Sequence, residues 1–308
     1  MSKTLTIRYT SDTHGYLYPT SYADMQDRPM GLMKLGSEYP HDGNTLIIDG
    51  GDTIQGSPLT NLYQRLSPEE KAACLTEDTY GTHPIAAMMN LAGYQFVTLG
   101  NHDFNYGVDA LLDYLTNLDA LCLCANIRDK EGRLPIAPYA VHQLENGLRV
   151  GLVGVCTHFV RRWENPKTVE QLVIEEPVPA AKAALEAAGY APRVCEKLTA
   201  EQLEQADAVL CFEPVSLEQA AALAAQCETP PRVYGAGVSS TVVAALETGD
   251  IAAVAAWSDY AAGYLAVSQA VNAARRQPVE SKTLPVTLVQ EGETYDQDHQ
   301  KLLYPVFP

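Results

Sequence analysis

Three short stretches near the start of the chain carry side chains able to hold a metal ion: Asp12-Thr13-His14, Gly51-Asp52 and Gly100-Asn101-His102-Asp103. Carboxylate and amide oxygens combined with imidazole nitrogen form the donor set of a hard or borderline divalent cation. Hydrolysis of a phosphate ester needs its non-bridging oxygens neutralised and hydroxide made available near neutral pH. A pair of cations joined by a carboxylate does both. Asp52 follows Gly50-Gly51, which let the backbone turn tightly, and suits the bridging position. Asp12 and His14 can chelate one cation, and Asn101 offers a neutral oxygen to the second. His102 is then placed to hydrogen-bond a phosphoryl oxygen or to protonate the leaving group. Asp49 reads as the residue that orients the glycine turn.

Each stretch follows an apolar run of strand character, at 5–9, 46–48 and 96–99. Helical patterns at 29–38, 83–93 and 108–118 alternate with strands at 45–49, 95–99 and 120–125. The run 150–155 is apolar throughout, which predicts a strand buried on both faces. An alanine-rich helix over 180–188 ends at Gly189, and a short junction with Pro192 occupies 189–195. From 196 onward alanine rises, charge thins and a new alternation begins. Helices are expected at 199–205, 216–226, 239–248 and 260–274, with strands at 208–212, 232–234 and 251–256. Such alternation predicts an α/β fold with parallel sheets covered by helices on both faces. The expected organisation is one domain over 1–188 and a second over 196–308.

Composition narrows the partners. The 308 residues are 46% hydrophobic, enough for a sizeable core, and the formal charge is −17. With no basic cluster, this surface repels nucleic acid polymers and anionic membranes, so neither is expected as a partner. A small phosphorylated substrate would have to be drawn by a local positive centre. No apolar segment of leader or membrane-span length is present, which predicts a cytoplasmic setting. Seven scattered cysteines without a C-x-x-C pair agree with reduced thiols. Strand alternation at Cys122-Leu123-Cys124 directs both thiols to one buried face. His41, His83, His142 and His299 read as loop residues, and Pro68-Glu69-Glu70 as a solvated face. No signal for oligomeric state is evident.

The front of the chain resembles the calcineurin-like metallophosphoesterases, in particular the 2′,3′-cyclic-nucleotide phosphodiesterase/5′-nucleotidase branch. The likeness is carried by Thr10-Ser11-Asp12-Thr13-His14-Gly15, by Gly51-Asp52-Thr53-Ile54-Gln55-Gly56-Ser57-Pro58-Leu59, and by Gly100-Asn101-His102-Asp103-Phe104-Asn105-Tyr106-Gly107. His83-Pro84, Ala125-Asn126-Ile127 and Trp163 after the run 150–157 extend it across about residues 4–188. The resemblance implies an α/β sandwich, divalent Mn, Zn or Fe at one or two positions, and a nucleotide-like substrate. It also implies metal-ligand roles for Asp12, His14, Asp52 and Asn101 and a catalytic role for His102. Some nucleotidase relatives have aspartate where Asn105 stands, and the cyclic-phosphodiesterase branch commonly has asparagine. The family completes its site with a histidine after a later strand and a Gly-His-x-His turn. Beyond residue 157 this chain has only His158 and His299. His158, after an expected strand, is the candidate substitute ligand. The family's base-binding C-terminal domain has no counterpart here, so weak or lost activity is expected.

Residues from about 196 resemble the C-terminal lobe of type 1 periplasmic sugar-binding proteins, a Rossmann-like α/β lobe. Val233-Tyr234-Gly235-Ala236-Gly237, the stretch 245–251 and Trp257-Ser258-Asp259-Tyr260 carry that likeness, as does the tail 295–305. It implies stacking of a sugar or nucleoside on Trp257. The chain therefore reads as the front of one family joined to the back of another, both of whose members are often exported. The expected function is metal-dependent phosphoester hydrolysis. The alternative is a non-catalytic small-ligand binding protein or an inactive relict. With late strands missing, one sheet edge is expected to be exposed.

Overall fold

The computed structural model describes residues 3–22, 25–74, 83–195, 197–279, 284 and 286–304. Pro305, at the end of the tail noted above, lies outside them. The chain divides into two compact units, Met1–Val194 and Cys195–Pro308.

The first unit is built on a five-stranded sheet of β1 (Thr6–Thr10), β2 (Thr45–Asp49), β3 (Phe96–Val97), β4 (Leu121–Leu123) and β6 (Ile136–Ala137), side by side in that order. Every pairing in it is parallel. β5 (Ile127–Asp129) lies apart from it, paired antiparallel with β9 (Leu172–Ile174). One face packs under α1 (Leu32–Gly36), α4 (Pro84–Leu91) and α5 (Val108–Thr116), through Ile47, Val97 and Cys122 against Leu32, Met89, Leu111 and Tyr114. Burying each such large side chain contributes about 1.5–3 kcal/mol. Leu46, Phe96 and Leu123 emerge on the other face, as the two-residue period requires, and meet Leu144, Leu148, Val150 and Leu152. These four belong to the hairpin of β7 (Tyr139–Gln143) and β8 (Arg149–Val153) and its turn.

The run 150–155 is therefore not a central strand buried on both faces. β8 is antiparallel, its residues exposed or half-buried, and it forms a second layer with only one face against the sheet. The sheet edge at β1 is open, with Ile7 52% and Tyr9 64% exposed. Two helices that the periodicity did not signal follow the second motif, α2 (Pro58–Arg65) and α3 (Pro68–Cys74). Ser57 caps α2 by accepting the Thr60 N–H at 3.2 Å. Glu69 and Glu70 are exposed in the first turn of α3. Two short helices, α6 (Val160–Trp163) and α7 (Pro166–Val169), lead to β9, and α8 (Pro177–Ala187) closes the described elements of this unit. Cys122 and Cys124 are both buried, as is Leu123 between them.

Three histidines read as loop residues lie in or at regular elements. His142 is on β7, and its ring lies 5.6 Å from that of Phe96. His299 lies in α13 (Gln297–Leu303) of the second unit. His83 is fully buried as the N-cap of α4, accepting the Ile85 N–H and packing edge-on against Tyr63 and Tyr114. Burial drives its pKa down from 6.5 to about 4. The folded state thus holds the ring neutral while the unfolded chain protonates it. The resulting stability is complete above pH 6.5 and is lost as pH falls through about 4. His83→Asn keeps a capping acceptor and removes the titration. Chemical denaturation of both proteins at pH 7 and pH 4 should show the native chain losing on the order of 3 kcal/mol more than the variant.

The second unit carries β10 (Ala208–Cys211), β11 (Arg232–Ala236), β12 (Ala253–Ala256) and β13 (Thr287–Gln290), with only the last pairing antiparallel. α9 (Ala200–Glu204) precedes them with a capping box between Thr199 and Gln202. α10 (Pro214–Ala224) and α11 (Ser240–Thr248) cover one face, through Leu217, Ala221, Val242 and Leu246 against Val233 and Val254. Among the described residues, helices do not cover both faces here. α12 (Asp259–Ala274) buries none of its residues, and Leu210 and Leu288 on the opposite face are 62% and 61% exposed. Consecutive right-handed crossovers in one direction along a sheet place their helices on the same side.

Candidate metal centre

Because β1, β2 and β3 are adjacent and parallel, their C-terminal ends lie level, with Thr10 opposite Asp49 and Asp49 opposite Val97. The loops that leave those ends carry Asp12, Asp52 and Asn101-His102, so strand order alone gathers residues 90 positions apart. The loops are then tied backbone to backbone: Asp12 N–H to the Gly51 carbonyl at 2.9 Å, His14 N–H to that of Asp52 at 2.9 Å, and Ser57 N–H to that of His14 at 2.8 Å.

Two glycines permit this closeness. A Cβ on Gly51 would lie 2.1 Å from the Gly100 nitrogen, and one on Gly100 would lie 2.1 Å from an Asp52 carboxylate oxygen. Among the described residues, five non-glycine residues have positive φ, and three of them are Asp12 (56°), His14 (47°) and Asp52 (56°). Side chains in the left-handed region cost free energy that the surrounding hydrogen bonds must offset, and such strain gathers where function fixes geometry.

These same three residues bring ligand atoms within 4.8 Å of one another. The imidazole of His14 is oriented by a 2.7 Å hydrogen bond between Nδ1 and the Gln55 carbonyl, which makes Nδ1 the donor and leaves Nε2 as the ligand atom. That Nε2 stands 4.0 Å from Asp12 Oδ1. Ser11 Oγ donates to the other Asp12 oxygen. One Asp52 oxygen accepts the His102 N–H at 2.7 Å. The His102 ring lies 5.3 Å from the His14 ring, and its Nδ1 is 2.8 Å from Asn105 Oδ1. Two carboxylates, one imidazole and room between them fit one divalent ion with an open position. Asn101, on the third loop, is half-buried. His158 is not in the group; its Nδ1 lies 3.3 Å from a Glu176 carboxylate oxygen and its ring stacks on Phe159.

Two buried carboxylates support the loops from below. Asp49 accepts from Gly51 N–H at 2.9 Å and from the hydroxyls of Thr53 at 2.5 Å and Thr10 at 2.6 Å. Burial raises its pKa to about 6. Asp103, which motif reading left without a role, is 1% exposed. Its carboxylate accepts four backbone N–H groups, from Asp52 (2.9 Å), Thr53 (2.8 Å), Ile54 (3.1 Å) and Gly100 (2.9 Å). Burial nevertheless pushes its carboxyl upward. Glu164, also not singled out from sequence, accepts from Asn105 Nδ2 at 2.5 Å, and burial raises its pKa too. Nothing local in the sequence signals that contact across 59 positions.

Trp257 lies in the second unit, in a cleft of about 560 Å³ that also draws on Ser239, Glu247, Asp259 and Tyr304. Its Nε1–H donates to Asp259 Oδ1 at 2.9 Å.

No family model matches the chain. The trifunctional nucleotide phosphoesterase YfkN of Bacillus subtilis is 29% identical over 190 residues, which cover 58% of this chain and 13% of that protein. The 5′-nucleotidase of Vibrio parahaemolyticus is 28% identical over 182 residues, 58% of this chain and 29% of that one. The 2′,3′-cyclic-nucleotide 2′-phosphodiesterase/3′-nucleotidase of Salmonella typhimurium is 26% identical over 207 residues, covering 63% and 30% respectively. The matches thus span less than a third of these relatives' length. The crystal structure of YfkN, a calcineurin-like phosphoesterase, superposes with a TM-score of 0.50 at 24% identity over 75% of this chain and 71% of that one, which shows a shared fold. A fucose-bound solute-binding protein from Agrobacterium vitis aligns at 11% identity over 97% of this chain and 100% of that one, with a TM-score of 0.32, too low to carry an argument. Among the described residues no helix is long and apolar enough to cross a membrane. The relatives of this chain are calcineurin-like phosphoesterases, 5′-nucleotidases and cyclic-nucleotide phosphodiesterases.

Proposed function

We propose that the first unit is a metal-dependent phosphoester hydrolase of the 5′-nucleotidase/2′,3′-cyclic-nucleotide phosphodiesterase type, acting on small phosphorylated substrates such as nucleotides. The observation that carries this reading is the meeting of Asp12, His14 and Asp52 on strained loops, with His102 bonded to Asp52. Asp12, His14 Nε2 and the second oxygen of Asp52 would hold one ion, Mn, Zn or Fe. Such an ion supplies charge against the phosphoryl oxygens and makes hydroxide available near neutral pH. The protein's part is to hold the donors at fixed spacing and to place the His102 ring beside them. With its Nδ1 engaged by Asn105, His102 presents Nε2 to the reacting group. As the imidazolium it can donate from there a proton to the departing oxygen or a hydrogen bond to the phosphoryl group.

A direct test is manganese-supplemented turnover of bis-p-nitrophenyl phosphate. The native chain should turn over slowly and Asp52→Asn not at all. Absence of turnover in the native chain, or equal rates in both, would defeat the reading. A second reading, small-ligand binding by the second unit, draws support from the cleft around Trp257. It expects ribose or adenosine to raise the melting temperature, and Trp257→Ala to cancel that rise.

A further inference from the structure

Asparagine at position 105 poses a chemical problem that the structure answers. An aspartate facing a histidine nitrogen presents an acceptor whichever way its carboxylate turns. An asparagine has two unlike ends, an accepting oxygen and a donating amide nitrogen. Turned one way, Oδ1 meets His102 Nδ1 and the ring must carry its hydrogen there. Turned the other way, the amide nitrogen meets Nδ1, and the hydrogen of a neutral ring is forced onto Nε2. The two arrangements hand opposite capabilities to the nitrogen that faces substrate.

Glu164 removes this ambiguity. An ionised carboxylate can only accept, so the end of Asn105 that meets Glu164 Oε1 at 2.5 Å must be Nδ2. The opposite end, Oδ1, is then the atom 2.8 Å from His102 Nδ1, and that nitrogen must donate. Glu164 is itself held in place. Its backbone N–H closes α6 on the Val160 carbonyl at 3.0 Å, and Val160 is fully buried in the core of the first unit. On the other side, the His102 N–H is fixed on Asp52 at 2.7 Å. Both ends of the His102–Asn105–Glu164 chain are thus anchored to the framework.

We propose that Glu164 is a positioning residue that, through Asn105, locks His102 in the Nδ1–H form and so reserves Nε2 for the reacting group. In a hydrolytic cycle, Nε2 first takes up a proton from water, and that proton then passes from the imidazolium to the leaving oxygen as its bond to phosphorus breaks. The N–H bond breaks, the O–H bond forms, and the ring returns to the neutral Nδ1–H form without moving its other hydrogen. Glu164 does not touch substrate in this scheme. It acts through orientation alone.

The cycle rests on the hydrolase reading, whereas the tautomer lock does not, and the experiment separates the two. Nitrogen-15 NMR of the imidazoles in the full, metal-free chain at pH 8, with the His102 signals assigned by their loss in His102→Ala, reads the tautomer directly. The native chain should show His102 predominantly as Nδ1–H. Glu164→Gln, nearly isosteric, presents either an oxygen or an amide to Asn105, and should shift His102 to a mixture with Nε2–H. Adding Asn105→Asp to Glu164→Gln lets the glutamine amide donate to a carboxylate that faces the ring, and should restore Nδ1–H. Turnover of a 2′,3′-cyclic nucleotide should follow the same pattern. Glu164→Gln should lower kcat about tenfold with KM unchanged, and the double variant should recover most of it. A native His102 in the Nε2–H form, or a tautomer indifferent to Glu164→Gln, overturns the proposal. The expected tautomers without any turnover would leave the lock standing and defeat the hydrolase reading instead.

Discussion

His102→Ala is expected to lower kcat on a 2′,3′-cyclic nucleotide by about 10²–10⁴, the range of a positioned general acid. The loss should be far smaller on bis-p-nitrophenyl phosphate, because p-nitrophenolate leaves readily without a proton. A ribose oxygen does not. The ratio of the two losses therefore separates the roles open to this ring. Equal losses would assign His102 to the phosphoryl oxygens, and no loss on either substrate would remove it from the chemistry. Metal content should be unchanged in this variant, since the converging metal donors are Asp12, His14 and Asp52. His102 meets that group through the backbone hydrogen bond it gives to Asp52 and through its ring beside that of His14.

The largest effect on stability should come from Asp103→Ala. That carboxylate is the common acceptor for four N–H groups drawn from two different loops. Buried donors stripped of their partner cost about 1–3 kcal/mol each where water cannot replace it. Partial relaxation brings the expected total to about 3–5 kcal/mol, comparable to breaking a buried charged network. For a unit of this size each kcal/mol corresponds to about 2–4 °C in Tm. Asp103→Asn keeps one accepting oxygen and should lie between the two proteins. A further consequence is specific to this site. Asp103 fixes the backbone of Asp52 itself, so metal affinity should fall together with stability. Thermal denaturation and metal titration of the two variants check both effects, and a loss below about 1 kcal/mol in Asp103→Ala would contradict the account.

These two residues mark where the sequence could be read and where it could not. The positions of Asp12, His14, Asp52 and His102 follow from local facts, since each motif begins just beyond a strand and the strands pair in order. The α/β class and most strands and helices were legible for the same reason. Asp103 was visible as a residue but not as a support, because its four partners lie up to 51 positions away. The contact of Glu164 with Asn105 left no local trace at all. The hairpin layer was misread for a different reason. Its second strand is apolar from Val150 onward, which imitates a central parallel strand, yet Asn146-Gly147 before it is a hairpin signal. His83 was misread because a histidine before proline looks like a loop residue, whereas buried rings of Tyr63 and Tyr114 enclose it.

The absence of late histidines leads us to propose one ion rather than two. Asp12, His14 and Asp52 converge, and His158 is engaged with Glu176. An ion held by three protein groups should be exchangeable and should restrain the strained loops when bound.

The measurement that bears most directly on this is calorimetric titration of manganese into the metal-free chain, repeated with Asp12→Ala. One ion per chain, abolished by the substitution, is the expected result. Two equivalent ions, or binding that survives the loss of Asp12, would contradict it.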